Sequence, residues 1–208
     1  MYTVYQRALP ALGKEADVRA ELTAWAKQSQ SRGRNVGCSA RLFSSDGPTF
    51  NMVATADDLN TLEEYRRARM ADPDWQDRVA RLATLLRSPL MTVVFETLIP
   101  PGGSGPVGIV TRTTGFPAPG KVREFRSITE EHVKASQAAG VRMGLAGGVF
   151  SSIGPVFQTT TLYPDIATLD KTRTERLSVT REAIQRAHQV SREPMRQRVY
   201  EVLVPLQT

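Results

Sequence analysis

The sequence holds one cysteine, Cys38, and two histidines, His132 and His188. One cysteine excludes an internal disulfide and any site built from several thiolates; two histidines 56 positions apart make a structural zinc set improbable. No apolar run approaches the roughly 20 residues that span a bilayer. The opening Met1-Tyr2-Thr3-Val4-Tyr5-Gln6-Arg7 lacks the basic start and apolar stretch of a secretion signal. A cytoplasmic location with no membrane partner is expected. A glycine-rich phosphate loop is missing too, because the Gly13-Lys14 and Gly120-Lys121 steps do not supply converging backbone N–H groups. No cofactor or metal is expected. Charge of one sign is never gathered into a block. The net charge is +6, yet Arg66, Arg67 and Arg69 are interleaved with Glu63 and Glu64, and Arg192, Arg196 and Arg198 with Glu193 and Glu201. Nucleic-acid binders cluster their basic residues, so no nucleic-acid partner is expected.

What the sequence does have is a duplication, and a search for internal repeats comes before any local reading. Pro10-Ala11-Leu12-Gly13-Lys14 recurs as Pro117-Ala118-Pro119-Gly120-Lys121, a shift of 107 positions. In the same register Lys27 falls on Lys134, Gln30 on Gln137, Gly33 on Gly140, Gly37 on Gly144 and Asp58 on Asp165. Near the ends the shift becomes 105, laying Phe95-Glu96-Thr97-Leu98-Ile99-Pro100 over Tyr200-Glu201-Val202-Leu203-Val204-Pro205. Between the copies, residues 101–106 are Pro-Gly-Gly-Ser-Gly-Pro, the composition of a linker. The expected organisation is repeat one at 1–100, linker at 101–106 and repeat two at 107–208.

Each copy parses alike. β-branched and aromatic residues mark first strands at 2–7 and 107–114. The Pro-Ala-x-Gly-Lys motif then opens a helix with an apolar stripe of Val18, Leu22, Trp25 and Ala26 in repeat one; Val122, Phe125, Thr129, His132 and Val133 occupy a comparable stripe in repeat two. Gly33 and Gly140 stand where a C-terminal cap is wanted. Second strands at 36–44 and 143–151 and third strands at 49–55 and 156–162 are joined by Ser/Gly/Pro hairpin turns. Second helical segments span 57–87, broken near Asp72-Pro73, and 165–192. Last strands follow at 92–99 and 199–204. The order βαββαβ is the ferredoxin-like motif. Its helices cover one sheet face and leave the other bare, which two packed copies would resolve. The expected class is therefore α+β: two tandem ferredoxin-like repeats forming an intramolecular dimeric α+β barrel, as a monomer or a homodimer.

Thr111-Arg112, Phe116-Pro117-Ala118-Pro119-Gly120-Lys121 and Glu124-Phe125, with the closing Arg198-Val199-Tyr200-Glu201-Val202-Leu203-Val204-Pro205, resemble the NIPSNAP and antibiotic-biosynthesis-monooxygenase-like families. Repeat one departs from that pattern, with Leu12 where repeat two has Pro119. The resemblance implies the dimeric α+β barrel superfamily, which includes cofactor-independent monooxygenases acting on aromatic polyketides, small-molecule isomerases and haem-binding proteins. No catalytic residue carries over from it.

Site candidates come from the asymmetry between the copies. His132 stands where repeat one has Trp25, and Gly147-Gly148 where it has Ala40-Arg41. Gly144, Ala146 and Gly148 share one face of their strand, and small side chains there are expected to leave room. The larger pocket is accordingly expected in repeat two, lined by Arg112, His132, Gly148 and Gln158, with His132 as general base. The expected function is small-molecule binding, as a cofactor-independent monooxygenase or isomerase acting on an aromatic or polyketide-like compound. The rivals are a non-catalytic binding or assembly protein and a haem protein with His132 or His188 as ligand.

Overall fold

Both repeats fold in the order strand, helix, two strands, helical segment, strand. The computed structural model describes residues 1–44, 47–150 and 154–207; the hairpin turns expected at 44–48 and 151–155 fall partly outside them. The first repeat contains β1 (Tyr2–Ala8), α1 (Glu15–Ser31), β2 (Val36–Leu42), β3 (Phe50–Ala56), α2 (Leu59–Met70), α3 (Pro73–Leu85) and β4 (Met91–Ile99). The second contains β5 (Ile109–Gly115), α4 (Val122–Ala138), β6 (Met143–Phe150), β7 (Phe157–Tyr163), α5 (Ile166–Gln189) and β8 (Arg196–Val204). Hydrogen bonding runs in the order β1-β3-β2-β8-β5-β7-β6-β4 and closes into a barrel.

Residues gather into two compact units, 1–94 with 202–208 and 95–201. Their boundaries fall inside β4 and β8, so each of these strands starts in one unit and ends in the other. In unit 1, β3 lies between β1 and β2, with Arg7 opposite Asn51 and Ser39 opposite Asn51. The apolar stripe of α1 (Val18, Leu22, Trp25, Ala26) packs with Cys38, Ala40, Phe50 and Met52 of the sheet and with Leu82 of α3. The larger of these side chains, such as Leu22, Phe50, Met52 and Leu82, contribute about 1.5–3 kcal/mol each when fully buried. Unit 2 repeats the plan with Phe125, Ile128 and Val133 of α4 against Met143, Leu145 and Phe157.

The break between α2 and α3 follows from Asp72-Pro73. A residue before proline is pushed out of the α region, and Asp72 has φ −92° and ψ 113° while its carboxylate accepts from Asp74 N. Repeat two has no proline there, and α5 runs unbroken. Asp58 and Asp165 cap the second helical segments alike, each accepting a backbone N–H at 2.7 Å, from Thr61 and Thr168. Both carboxyls are held below the ordinary aspartate value, chiefly by those backbone hydrogen bonds.

The matched glutamines explain their own repetition. Gln30 donates to Val36 O at 2.8 Å and Pro205 O at 2.7 Å, and Gln137 to Met143 O at 2.7 Å and Pro100 O at 2.9 Å. Each ties the end of its first helix to two strands. The 101–106 stretch is also anchored, since Arg142 Nη1 donates to Gly105 O and Pro106 O at 3.1 and 3.2 Å. Among the described residues no helix is long and apolar enough to cross a membrane.

Candidate active site

The small residues of β2 and β6 do not make a cavity. A Cβ at Gly37 would lie 2.9 Å from Val204 O, and one at Gly144 2.9 Å from Ile99 O. A Cβ at Gly148 would run into the Val156 side chain. These glycines permit close approach of chain to chain, and the expected room is already occupied.

Space opens instead on the opposite, helix-facing side of the unit 2 sheet. A cavity of about 290 Å³ lies there; in unit 1 a cleft of about 40 Å³ shares only the matching positions Gln6, Trp25 and Met52. Its sheet wall is Thr113 and Gly115 of β5, Phe157 and Thr159 of β7, Gln197 of β8 and Met195 just before that strand. Strand alternation selects these positions: Thr113 pairs with both Thr159 and Gln197, and the three share one face. From α4 come Phe125, Ile128, Thr129 and His132, which follow the i, i+3, i+4, i+7 stripe, and from α5 come Ala183, Ile184, Ala187 and His188.

Burial orders these groups from floor to mouth. Phe125, Ile128, Thr129 and Phe157 are buried, His132 is half-buried, and His188 and Gln197 are exposed. Phe125 and Phe157 stack at a 5.6 Å centroid distance, forming an aromatic base. Thr129 turns its hydroxyl back to Phe125 O at 2.7 Å, leaving its methyl to the cavity. An exposed ion pair at 3.2 Å, Arg186 with Glu131, links α5 to α4 beside the histidines. The only two histidines of the sequence thus line one cavity.

Why unit 2 is hollow can be read position by position. Under the 107 shift Leu22, Trp25 and Met52 fall on Thr129, His132 and Thr159, and under the 105 shift Leu82 falls on Ala187. The four in unit 1 are at most 5% exposed and fill its core; Trp25 also meets Trp75 edge-on at 4.5 Å. Ala8 falls on Gly115, where an added Cβ would stand 2.5 Å from Phe125 Cζ.

Of the residues expected at the site, His132 lies on the cavity wall. Arg112, Gly148 and Gln158 do not. Arg112 and Gln158 are one residue out of phase with Thr113, Phe157 and Thr159, so they point to the other sheet face. There Arg112 is buried with its guanidinium 4.6 Å over the Tyr200 ring, and Gln158 reaches Thr114 Oγ1 at 3.4 Å. Gly148 shares the wrong phase on β6. Sequence reasoning missed Thr113, Thr129, Thr159 and Gln197, although the repeat register exposes two of them as polar replacements of core residues.

No family model matches the sequence, and no curated protein matches it. Solved structures do. A proposed monooxygenase from Fusobacterium nucleatum superposes with a TM-score of 0.75 at 12% identity, over 97% of this chain and 92% of that one. An anthrone oxidase-like protein gives 0.67 at 15% identity, over 97% and 90%. A heme-binding protein from Thermus thermophilus gives 0.51 at 13% identity, over 97% and 90%. The fold is that of the dimeric α+β barrels. His132 stands half-buried on the wall of the cavity whose floor holds Phe125 and Phe157. Water exclusion at the floor strengthens every polar interaction made there.

Proposed function

We propose that the chain binds an apolar, ring-containing small molecule in the unit 2 cavity, and that His132 acts there as general base in a cofactor-independent monooxygenation or isomerisation. One observation carries the reading: the helix-to-sheet space filled by Leu22, Trp25, Met52 and Leu82 in unit 1 is a 290 Å³ cavity in unit 2, with a histidine at the tryptophan's position. That volume is at the small end of ordinary ligand sites, about 300–1,000 Å³. The likeness to a proposed monooxygenase and an anthrone oxidase-like protein supports the same reaction class.

The chemistry asked of the protein is modest. A CH2 flanked by aryl groups and a carbonyl-bearing ring loses a proton to the His132 imidazole. The resulting carbanion reduces dioxygen; one oxygen atom remains as a new carbonyl, and the other leaves as water with the two hydrogens of the CH2. In an isomerisation the same proton returns at another carbon. Thr113, Thr159 and Gln197 offer hydrogen bonds to a developing enolate oxygen.

Anthrone is a suitable probe, with oxygen uptake, product mass and binding measured separately. His132→Ala is expected to lower turnover by about 10²–10⁴-fold, the usual contribution of a general base, while anthrone still binds. Unchanged turnover in a folded variant ends the proposal for His132. Binding without turnover in the unaltered protein would fit a non-catalytic, NIPSNAP-type binding protein instead. The two histidines on one cavity favour a second reading, axial haem ligation, as does the likeness to a heme-binding protein. A Soret band in protein purified with haem present, lost in His132→Ala or His188→Ala, decides for it.

A further inference from the structure

Unit 1 carries an unusual pair of cations. Arg34 follows the Gly33 cap between α1 and β2, where its backbone N–H donates to Ser29 O at 3.1 Å. Arg69 is in the last turn of α2. Both side chains are half-buried and line one small cleft with Gln6, Ser29 and Tyr65. Their neighbours each meet a carboxylate: Arg32 meets Asp72 and Asp74, Arg66 and Arg67 share Glu63, and Arg78 and Arg81 share Glu21. Arg34 and Arg69 have no carboxylate within 4.0 Å among the described residues.

We infer that Arg34 and Arg69 form an oxyanion subsite that takes the carboxylate or phosphate group of a small molecule. Arg34 lies 6.0 Å over the Tyr65 ring and Arg69 4.9 Å over the Trp75 ring. A guanidinium lying over an aromatic ring still carries N–H groups at its edge, and that edge binds carboxylate and phosphate. A cation in the last turn of a helix is ordinary. Two half-buried ones on one cleft repel each other, and burial first, then Arg34 and Arg66, pull Arg69 below the usual guanidinium value. A bound anion removes that conflict. The nearest acids on the adjoining side, Asp72 and Asp74, are already committed to Arg32.

The cleft measures about 40 Å³, room for a few water-sized groups where one water needs about 10–15 Å³. It admits an oxyanion head and leaves the rest of the ligand outside. Repeat two has no such pair: Arg34 and Tyr65 fall on Val141 and Thr172. The subsite is therefore independent of the unit 2 cavity and of the reading proposed for it.

The test uses the full chain, with its thermal midpoint followed against sodium phosphate and sodium acetate, and sodium chloride at equal ionic strength as reference. Either oxyanion is expected to raise the midpoint above the chloride curve. Arg34→Gln and Arg69→Gln should each raise the half-saturating concentration tenfold or more. Arg126→Gln, whose arginine lies in unit 2 and is engaged by Glu130, should respond as the unaltered protein does. A stronger response to phosphate assigns the ligand head as phosphate, and a stronger response to acetate as carboxylate. The inference is overturned if neither anion exceeds chloride, or if the Arg34 and Arg69 variants respond like the parent. Should Arg69→Gln disturb the Trp75 stack and the fold, Arg34→Gln, which leaves that stack intact, decides between the two outcomes.

Discussion

His132 and Cys38 show how much one side chain's surroundings decide. His132→Trp restores to unit 2 the residue that closes unit 1. An indole over Phe125 and Phe157 adds buried apolar area, so the variant is expected to gain about 1–2 kcal/mol in unfolding free energy by denaturant titration and to lose anthrone binding. A destabilised variant that still binds would mean the cavity cannot accept the ring. Cys38 is 2% exposed on β2, and burial pushes its thiol up to about 12. Only the thiolate reacts quickly, so iodoacetamide at neutral pH should leave the native protein unmodified by mass and label it fully in denaturant. Rapid labelling of native protein would show that β2 opens locally.

Helix caps and side-chain clamps act on whole elements. Asp58→Ala and Asp165→Ala should each lower the melting midpoint at neutral pH. Because the folded carboxyls lie below their ordinary value, the caps contribute fully above the unfolded aspartate pKa near 3.9. Their contribution fades as pH falls through the lower folded value. The difference between variant and parent should therefore shrink in acid; a difference that grows would reverse the assignment. Gln30→Leu and Gln137→Leu each remove two hydrogen bonds between helix end and strands, an expected loss of about 1–3 kcal/mol by chemical denaturation. Elements were the most legible part of the sequence, because repeated Gly, Pro and Asp positions mark where they start and stop. The polar start of β8, Arg196-Gln197-Arg198, was not, since it is a strand only through pairing with Thr114, Thr113 and Arg112. The site was half legible. The exchange of Trp25 for His132 falls on the wall of the unit 2 cavity, whereas Gly148 suggested a hollow that neighbouring chain fills. Composition cannot say which sheet face a helix covers, and that one-residue phase separates Thr113 from Arg112.

For the whole molecule, the informative fact is that 202–208 belong with 1–94. Val204 is buried in the unit 1 core and Pro205 accepts from Gln30, so a fragment ending at residue 100 lacks part of its own unit. It does contain residues 95–100, the match of 200–205. Two copies of fragment 1–100 can therefore complete each other, without the high effective concentration that fusion confers. Light scattering should find a dimer whose midpoint rises with protein concentration; a stable monomeric fragment would contradict this. The crossing of β4 and β8 makes the two units unequal under truncation. Removing residues 105–208 discards 202–208, on which unit 1 depends, whereas unit 2 is the unbroken stretch 95–201. The filled core borrows the far end of the chain to complete itself, and the hollow core borrows nothing from outside its own stretch.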